Sequence, residues 1–466
     1  MIRPYWLLPV LVPAAVWAGQ AEERIIVSVE TASAAQSVLS SPDSRHAALV
    51  LKLDQGRRRV VLDGTAGPEH DDVGGLCFSP DGSRLAYWAA DSGRWCAVVD
   101  GVEGTRCGGI RNLCFAPDGQ AAWFAIVEGR HVLVVGDGES LDFSTYGGIH
   151  EGPLIFSDDG GQHACIMSIR SCLTSRYVVL DRIPGTQPYD DIAGLQFRPG
   201  TGSVVYAAKA ANRWQVVTDC RIVGDLMKVT ADTARYDEVR YLACSRDGSR
   251  LGFSSRMGTD WFAVVDGHAF GPMPVPAAVV FSPDSRHWAC CADFGDSVLV
   301  LLDGSRAGSY DAAGGLCFGP DGSLAYYAKR SGNWFVVHRG KEQGRFEGVT
   351  GYADLDCLAF SPDGNRLAFG GQRDGRCFAV VDGIEGPRFD EVGQFAFSPD
   401  SRHVAYVAVL GNSSFVVCDS VCGPGFDAVV FKGGELVFDP SGRLRYLASR
   451  VNGAGLDIFE VTQNTR

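Results

Sequence analysis

Three histidines, His46, His287 and His403, close three copies of the same phrase, Ser-Pro-Asp-Ser-Arg-His. Three imidazoles brought together could hold a zinc-like ion. Aspartates recur on a second rhythm, at Asp63, Asp100, Asp137, Asp219, Asp266, Asp303, Asp382 and Asp419, each ending an apolar run and most followed by glycine. A ring of such carboxylates could bind calcium or serve acid–base chemistry. Trp95, Trp214, Trp261 and Trp334 form a third set, each shortly before a Val-Val pair. Repeated aromatics can stack on sugars or anchor a protein partner, because they join a large apolar face to a polar handle.

Spacing weighs against metal and acid–base roles. The histidine copies lie in non-neighbouring units, and the residues aligned with them elsewhere read as Leu85, Leu251 and Leu367, so they are expected to be structural histidines at a strand start. Asp-Gly is a tight-turn pair whose carboxylate satisfies local backbone donors, and the dense Asp-x-Asp-x-Asp-Gly calcium loop is missing. The four tryptophans remain as candidate binding residues, with inter-blade packing as the competing role. No G-x-S-x-G elbow, H-E-x-x-H, P-loop or complete G-x-G-x-x-G occurs, so no catalytic residue, metal ligand or cofactor is predicted. Asn412-Ser413-Ser414 is a glycosylation sequon, relevant only in a eukaryotic setting.

The elements that must position these residues follow from a repeat. Phe78-Ser79-Pro80-Asp81-Gly82 returns as Phe281 to Ser285, Phe360 to Gly364 and Phe397 to Ser401. Weaker copies fill the gaps, so that the proline or its equivalent falls at Pro42, Pro80, Pro117, Asp158, Pro199, Arg246, Pro283, Pro320, Pro362, Pro399 and Pro440. The intervals run from 37 to 47 residues, the length of a four-stranded propeller blade. In the second unit, Val73 to Phe78, Arg84 to Ala89 and Trp95 to Val99 read as strands separated by turns in which proline presets φ and glycine accepts φ > 0. Many units end in an aromatic–Asp pair, as at Tyr189-Asp190, Tyr236-Asp237, Tyr310-Asp311, Phe389-Asp390 and Phe426-Asp427. Nothing in the pattern asks for a helix.

One blade cannot bury both of its faces, so an all-β propeller of eleven repeats is expected. The last unit has strands Glu435 to Asp439, Leu444 to Ser449 and Leu456 to Val461 but no outer one, and Arg24 to Glu30 is predicted to supply it. The longest interval coincides with the atypical stretch Arg221 to Ala234. This favours two propellers, residues 22–226 with five blades and 236–466 with six, over one wide ring.

The phrase Phe-Ser-Pro-Asp-Gly/Ser, an Ala-Tyr-bearing strand, then Val-Val-Asp-Gly resembles the WD40-like, TolB-type propeller repeat of exported bacterial proteins, over roughly residues 38–461. Units four (Phe156-Ser157-Asp158-Asp159-Gly160) and six (Cys244-Ser245-Arg246-Asp247-Gly248) depart from it. The separate N-terminal α/β domain of TolB has no room here. The resemblance implies an exported propeller that binds other macromolecules.

Composition agrees with this picture. Glycine is 58 of 466 residues, the net charge is −13 and no long basic run is present, so nucleic acid is not an expected partner. Residues 1–21 read as a signal peptide, with Arg3, an apolar stretch from Tyr5 to Trp17 and small residues from Ala18 to Ala21; Pro9 and Pro13 and its short length argue against a membrane span. The mature chain is expected to be periplasmic or secreted, without a membrane span. Among 15 cysteines, Cys77, Cys114 and Cys317 share one core-facing position, while Cys290-Cys291 and Cys418/Cys422 are the first pairs to test for bridging. The expected function is a non-enzymatic scaffold for a protein or envelope polysaccharide. The alternative is a propeller hydrolase or lyase with carboxylates converging on a central channel, 5–10 Å apart by the spacing such chemistry requires.

Overall fold

The computed structural model describes residues 21–31, 35–136, 141–142, 146–149, 152–169, 172–181, 183–185, 187–223, 226–231, 234–349, 358–429 and 432–465. The proposed signal segment lies outside these, apart from Ala21. Among the described residues the sole helical piece is one 3-10 turn, Asp54–Gly56. The rest is organised as eleven antiparallel sheets, ten made of strands consecutive in sequence and the last joining the C-terminal strands to the N-terminal one. We number the blades along the chain: 35–70, 72–103, 110–142, 146–184, 191–231, 238–273, 280–310, 312–346, 358–385, 391–422 and 428–463.

Within a blade the strands stand first to fourth in chain order, and the first strands of successive blades touch, so they line the middle of the ring. Side chains alternate along each strand, and here both faces are apolar because both meet a neighbour. In blade 10, the second strand Val404–Leu410 sends Ala405 and Val407 toward blade 11 and Tyr406 and Ala408 toward blade 9.

Closure is visible in the packing. Eleven core clusters each span one pair of consecutive blades. One of them joins Val205, Ala207 and Val216 of blade 5 to Tyr236, Val239 and Phe253 of blade 6. Another joins Val27, Leu447 and Ile458 of blade 11 to Ala47, Leu49 and Val61 of blade 1. The chain therefore makes one ring, the wide alternative, and not a pair of propellers, which would have required blade 5 to pack on blade 1. The long interval that suggested a hinge is an extended hairpin of blade 5, Arg213–Val223 paired with Leu226–Ala231.

The N-terminal strand does complete the last blade. Ala21–Val29 pairs antiparallel with Gly455–Gln463, from Ala21 opposite Gln463 to Val29 opposite Leu456. This covers an edge that would otherwise be a template for aggregation. Units four and six keep the common turn despite their missing proline: the N–H of Gly160 donates to Ser157 O and that of Gly248 to Ser245 O, both at 2.9 Å. Serine, aspartate and glycine therefore suffice for the turn.

Candidate functional site

The repeated polar residues hold turns and blade junctions. In the Ser-Pro-Asp-Gly turn of blade 2, Ser79 Oγ donates to Asp81 Oδ1 at 2.5 Å and accepts from the Arg84 N–H at 3.0 Å, while the Ser83 N–H donates to Asp81. These donors, the Ser79 hydroxyl foremost, hold the Asp81 carboxyl at about 2, well below its ordinary value. The same arrangement lowers Asp247, Asp284, Asp363 and Asp400.

The second aspartate family closes the third strand. Asp63, Asp100, Asp266, Asp303, Asp382 and Asp419 have φ of 46–52°, the left-handed region, and each accepts through Oδ1 from the first N–H of the second strand, as Leu85 N–H to Asp100 at 3.1 Å. Their other oxygens meet the residue just before that strand. In blades 1, 7 and 10 it is His46, His287 or His403, with Nδ1 2.5–2.6 Å from the carboxylate. In blades 2, 6 and 9 it is Arg84, Arg250 or Arg366, with Nε at 2.8 Å. The histidines thus align with arginines and not with the leucines one position later. The two turns are equally long, Ser41 to His46 and Ser79 to Arg84 each spanning six residues, so counting from the serine places the histidine on the arginine.

Those arginines also tie one blade to the next. Arg250 donates to Arg286 O at 2.7 Å and its guanidinium lies 5.4 Å from the Phe281 ring centre; Arg366 reaches Arg402 O at 2.5 Å over Phe397; Arg84 reaches Gly119 O at 2.8 Å over Phe115. Planar, multidentate recognition of this kind is what guanidinium does and ammonium does not. From the other side, Ser285 and Ser401 hold left-handed φ of 62° and 64° where other blades have glycine, and their hydroxyls accept from the N–H of Asp247 and Asp363 of the preceding blade.

The aromatic–Asp pair that ends many units is a staple. Its first residue is buried between blades, as Tyr236, Tyr310, Phe389 and Phe426 are. Its carboxylate accepts from the hairpin N–H of the following blade: Gly258 to Asp237 at 2.6 Å, Ser331 to Asp311 at 2.7 Å, Gly411 to Asp390 at 2.7 Å. Blade 1 carries His70 in the aromatic's place. It is 2% exposed; Nδ1 lies 2.8 Å from Asp91, and Nε2 has no hydrogen-bond partner, with Glu103 3.9 Å away. Burial opposes ionisation of Asp91, but His70, the Asp71 N–H and Arg106 outweigh it and hold that carboxyl at about 2.

The four tryptophans are not brought together. Each sits opposite a staple residue on its ladder: Trp95 faces Cys107, Trp214 faces Tyr236, Trp261 faces Met273 and Trp334 faces Phe346. Trp261 is buried and the other three half-buried, each within a different junction. Thirteen cysteines are free thiols among the described residues, Cys290, Cys291, Cys418 and Cys422 included. Burial pushes Cys77, Cys290 and Cys418 up to about 12, which leaves them as inert core packing. Among the described residues no group of three His, Cys, Asp or Glu side chains is placed to hold a metal ion, and no helix is long and apolar enough to cross a membrane.

Concave surface lies between blades. A groove of about 630 Å³ between blades 2 and 3 is lined by Ala97, Val99, Val102, Gly104 and Trp123 beside the Arg84–Asp100 pair. Another of about 280 Å³ between blades 9 and 10 uses the equivalent residues Ala379, Val381, Ile384, Gly386 and Tyr406 beside Arg366–Asp382. Val102 and Ile384, on their lips, are 71% and 74% exposed. Sequence reasoning missed both grooves. The available signal was the repeated Asp-Gly-Val/Ile-Glu-Gly at residues 100–104 and 382–386.

No protein-family model and no curated protein matches this sequence. Solved structures similar to the chain are of low identity. A eukaryotic initiation factor is 14% identical, with 77% of this chain and 97% of that one covered and a TM-score of 0.39. An oligogalacturonate lyase in complex with manganese is 14% identical over 78% and 98%, with a TM-score of 0.29. TolB from Acinetobacter baumannii is 14% identical over 68% and 79%, with a TM-score of 0.25. The class the chain itself defines is a closed, eleven-bladed β-propeller.

Proposed function

We propose that this chain is an exported, non-catalytic propeller scaffold that binds a protein or envelope polysaccharide partner. The observation supporting this reading is where the recurrent carboxylates spend their oxygens. Both turn families and the staple aspartates accept from backbone N–H groups and neighbouring guanidinium or imidazole groups of their own junctions. In the first turn family, Asp81, Asp247, Asp284, Asp363 and Asp400 are held below their ordinary value by fixed donors, Asp81 at about 2, which suits structural anchoring and not proton exchange near neutrality. What the ring leaves for function is surface: inter-blade grooves with exposed apolar lips and the half-buried rims of Trp95, Trp214 and Trp334. Affinity purification of the tagged mature chain from its native envelope tests this. The reading expects a reproducible partner displaced by excess untagged chain. Cleavage of peptides or glycans by the purified chain, abolished by Asp→Asn changes, would overturn it.

A further inference from the structure

Junction 6/7 shows what the two grooves are built to receive. Along the third strand and into the fourth, Ala263, Val265, Asp266, His268 and Phe270 of blade 6 occupy the positions of Ala97, Val99, Asp100, Val102 and Gly104 in blade 2, and of Ala379, Val381, Asp382, Ile384 and Gly386 in blade 9. The main-chain bonds fix this equivalence: Gly104 N–H donates to Ala97 O at 2.8 Å and Gly386 N–H to Ala379 O at 2.8 Å, while Phe270 stands opposite Ala263. The Phe270 ring lies against Trp288, with centroids 4.8 Å apart, and against Gly304 of blade 7. The equivalents of Trp288 and Gly304 in blade 10 are Val404 and Ser420, two walls of the open groove there, and Ala121 is the equivalent wall beside blade 2. The ring of Phe270 therefore occupies in one junction the volume that is empty in two others.

Glycine at these two positions is not there for its backbone. Neither Gly104 nor Gly386 has a left-handed φ, and a Cβ at either would meet a main-chain oxygen at 3.2 or 3.4 Å, a contact that a small shift relieves. What glycine does at these sites is leave the groove open. Beside each opening, a large aliphatic residue stands in water, a cost that a covering partner would remove.

We propose that the grooves between blades 2 and 3 and between blades 9 and 10 are paired sockets, each taking one aromatic side chain from an extended segment of a partner protein. Phe270 is presented by the strand His268–Met273, so an extended segment is the presentation that the socket fits. Val102 or Ile384 packs on one side of the incoming ring, and Trp123 or Tyr406 closes the far wall. The Arg84–Asp100 and Arg366–Asp382 pairs border the openings with polar groups, as buried-anchor sites are bordered. Two sockets on one rigid ring raise avidity for a partner able to reach both. This inference rests on the scaffold reading and names the protein branch of it.

The test is photo-cross-linking of the full chain with the peptide acetyl-Gly-Thr-X-Thr-Gly-amide, X being phenylalanine with a diazirine on the ring, mapped by mass spectrometry. Labels are expected around Ala97–Gly104 and Ala379–Gly386. Gly104→Phe should cut the first label at least tenfold and leave the second, and Gly386→Phe should do the reverse, each intact site reporting that the ring still folds. Phe270→Gly should add a third label near Trp288. Labels elsewhere, labels unaltered by the three variants, or labelling equal to that of a peptide carrying an aliphatic diazirine would overturn the sockets. If the sockets fail while the envelope purification still yields a partner or a polysaccharide, only this inference falls; if both fail, the scaffold reading falls with it.

Discussion

Junctions 6/7 and 9/10 share their clasps and differ in what lies between them, Phe270, Trp288 and Gly304 in one and Gly386, Val404 and Ser420 in the other. Arg250 and Arg366 each pair with their own blade's aspartate, reach a carbonyl of the next blade and lie over its phenylalanine. Ser285 and Ser401 each answer with a hydroxyl that accepts from the preceding turn, at 3.1 and 3.0 Å. Between these shared clasps, Phe270 fills one groove and Gly386 leaves the other open. Cohesion between blades thus resides in the clasp, the staple and the apolar faces, and the groove is free to vary without opening the ring.

The comparison can be broken at several levels. The largest effect should come from the seam, which both junctions depend on. Removing residues 22–32 deprives blade 11 of its fourth strand and exposes the edge Gly455–Gln463. It should cost about 1.5–3 kcal/mol from the lost burial of Val27 alone. Thermal unfolding measures this, and a peptide of residues 21–31 added in trans should restore part of it. Unchanged stability would remove the N-terminal strand from the account.

Next come the clasps. Arg250→Ala and Arg366→Ala should each destabilise by about 1–2 kcal/mol, because an exposed carboxylate and a cross-blade carbonyl lose their donor. The two losses should agree closely, since the groove contributes to neither; a clear difference would mean that Phe270 shares the load. Lysine at either position should recover little, lacking the planar fork. Smaller still, Ser401→Ala should cost about 0.5–1.5 kcal/mol for the lost cross-blade bond. Ser401→Gly should cost less than Ser401→Ala, because glycine takes φ of 64° without strain.

Single turn carboxylates contribute least, and they act together. Asp81, Asp321 and Asp439 are each held at about 2, below the ordinary 3.8. A depressed folded-state value favours the native state wherever the carboxylate is ionised, so this stability is fully present above pH 4 and is lost as pH falls toward 2. Urea midpoints measured from pH 6 to pH 2 should be flat first and then fall. Asp81→Asn should flatten the fall slightly.

Much of the fold was legible because each Ser-Pro-Asp-Gly turn is a local chemical device. In seven of the eleven blades, serine, aspartate and a residue tolerant of positive φ satisfy one another within six positions, so those turns announce themselves one by one and set the spacing that finds the rest. Ring number was not legible, because it depends on which blade meets which across hundreds of residues. A lengthened hairpin at Arg213–Ala231 looks the same in sequence as a linker. The histidine role was half legible: counting five residues on from the turn serine aligns His46 with Arg84, but the shared aspartate partner, 15 to 17 residues away, needed the strand pairing. The grooves were least legible. An absent side chain at Gly104 or Gly386 carries no signal until Phe270 shows what the position can hold.

The central claim is that eleven wedges of sheet close into one circle through the N-terminal strand. Cryo-electron microscopy of the mature chain, viewed down the axis, tests it most directly. The account predicts a single annulus with eleven spokes around one opening, and with blade 11 touching blade 1. Two smaller annuli of about five and six spokes joined near residues 221–234 would contradict it.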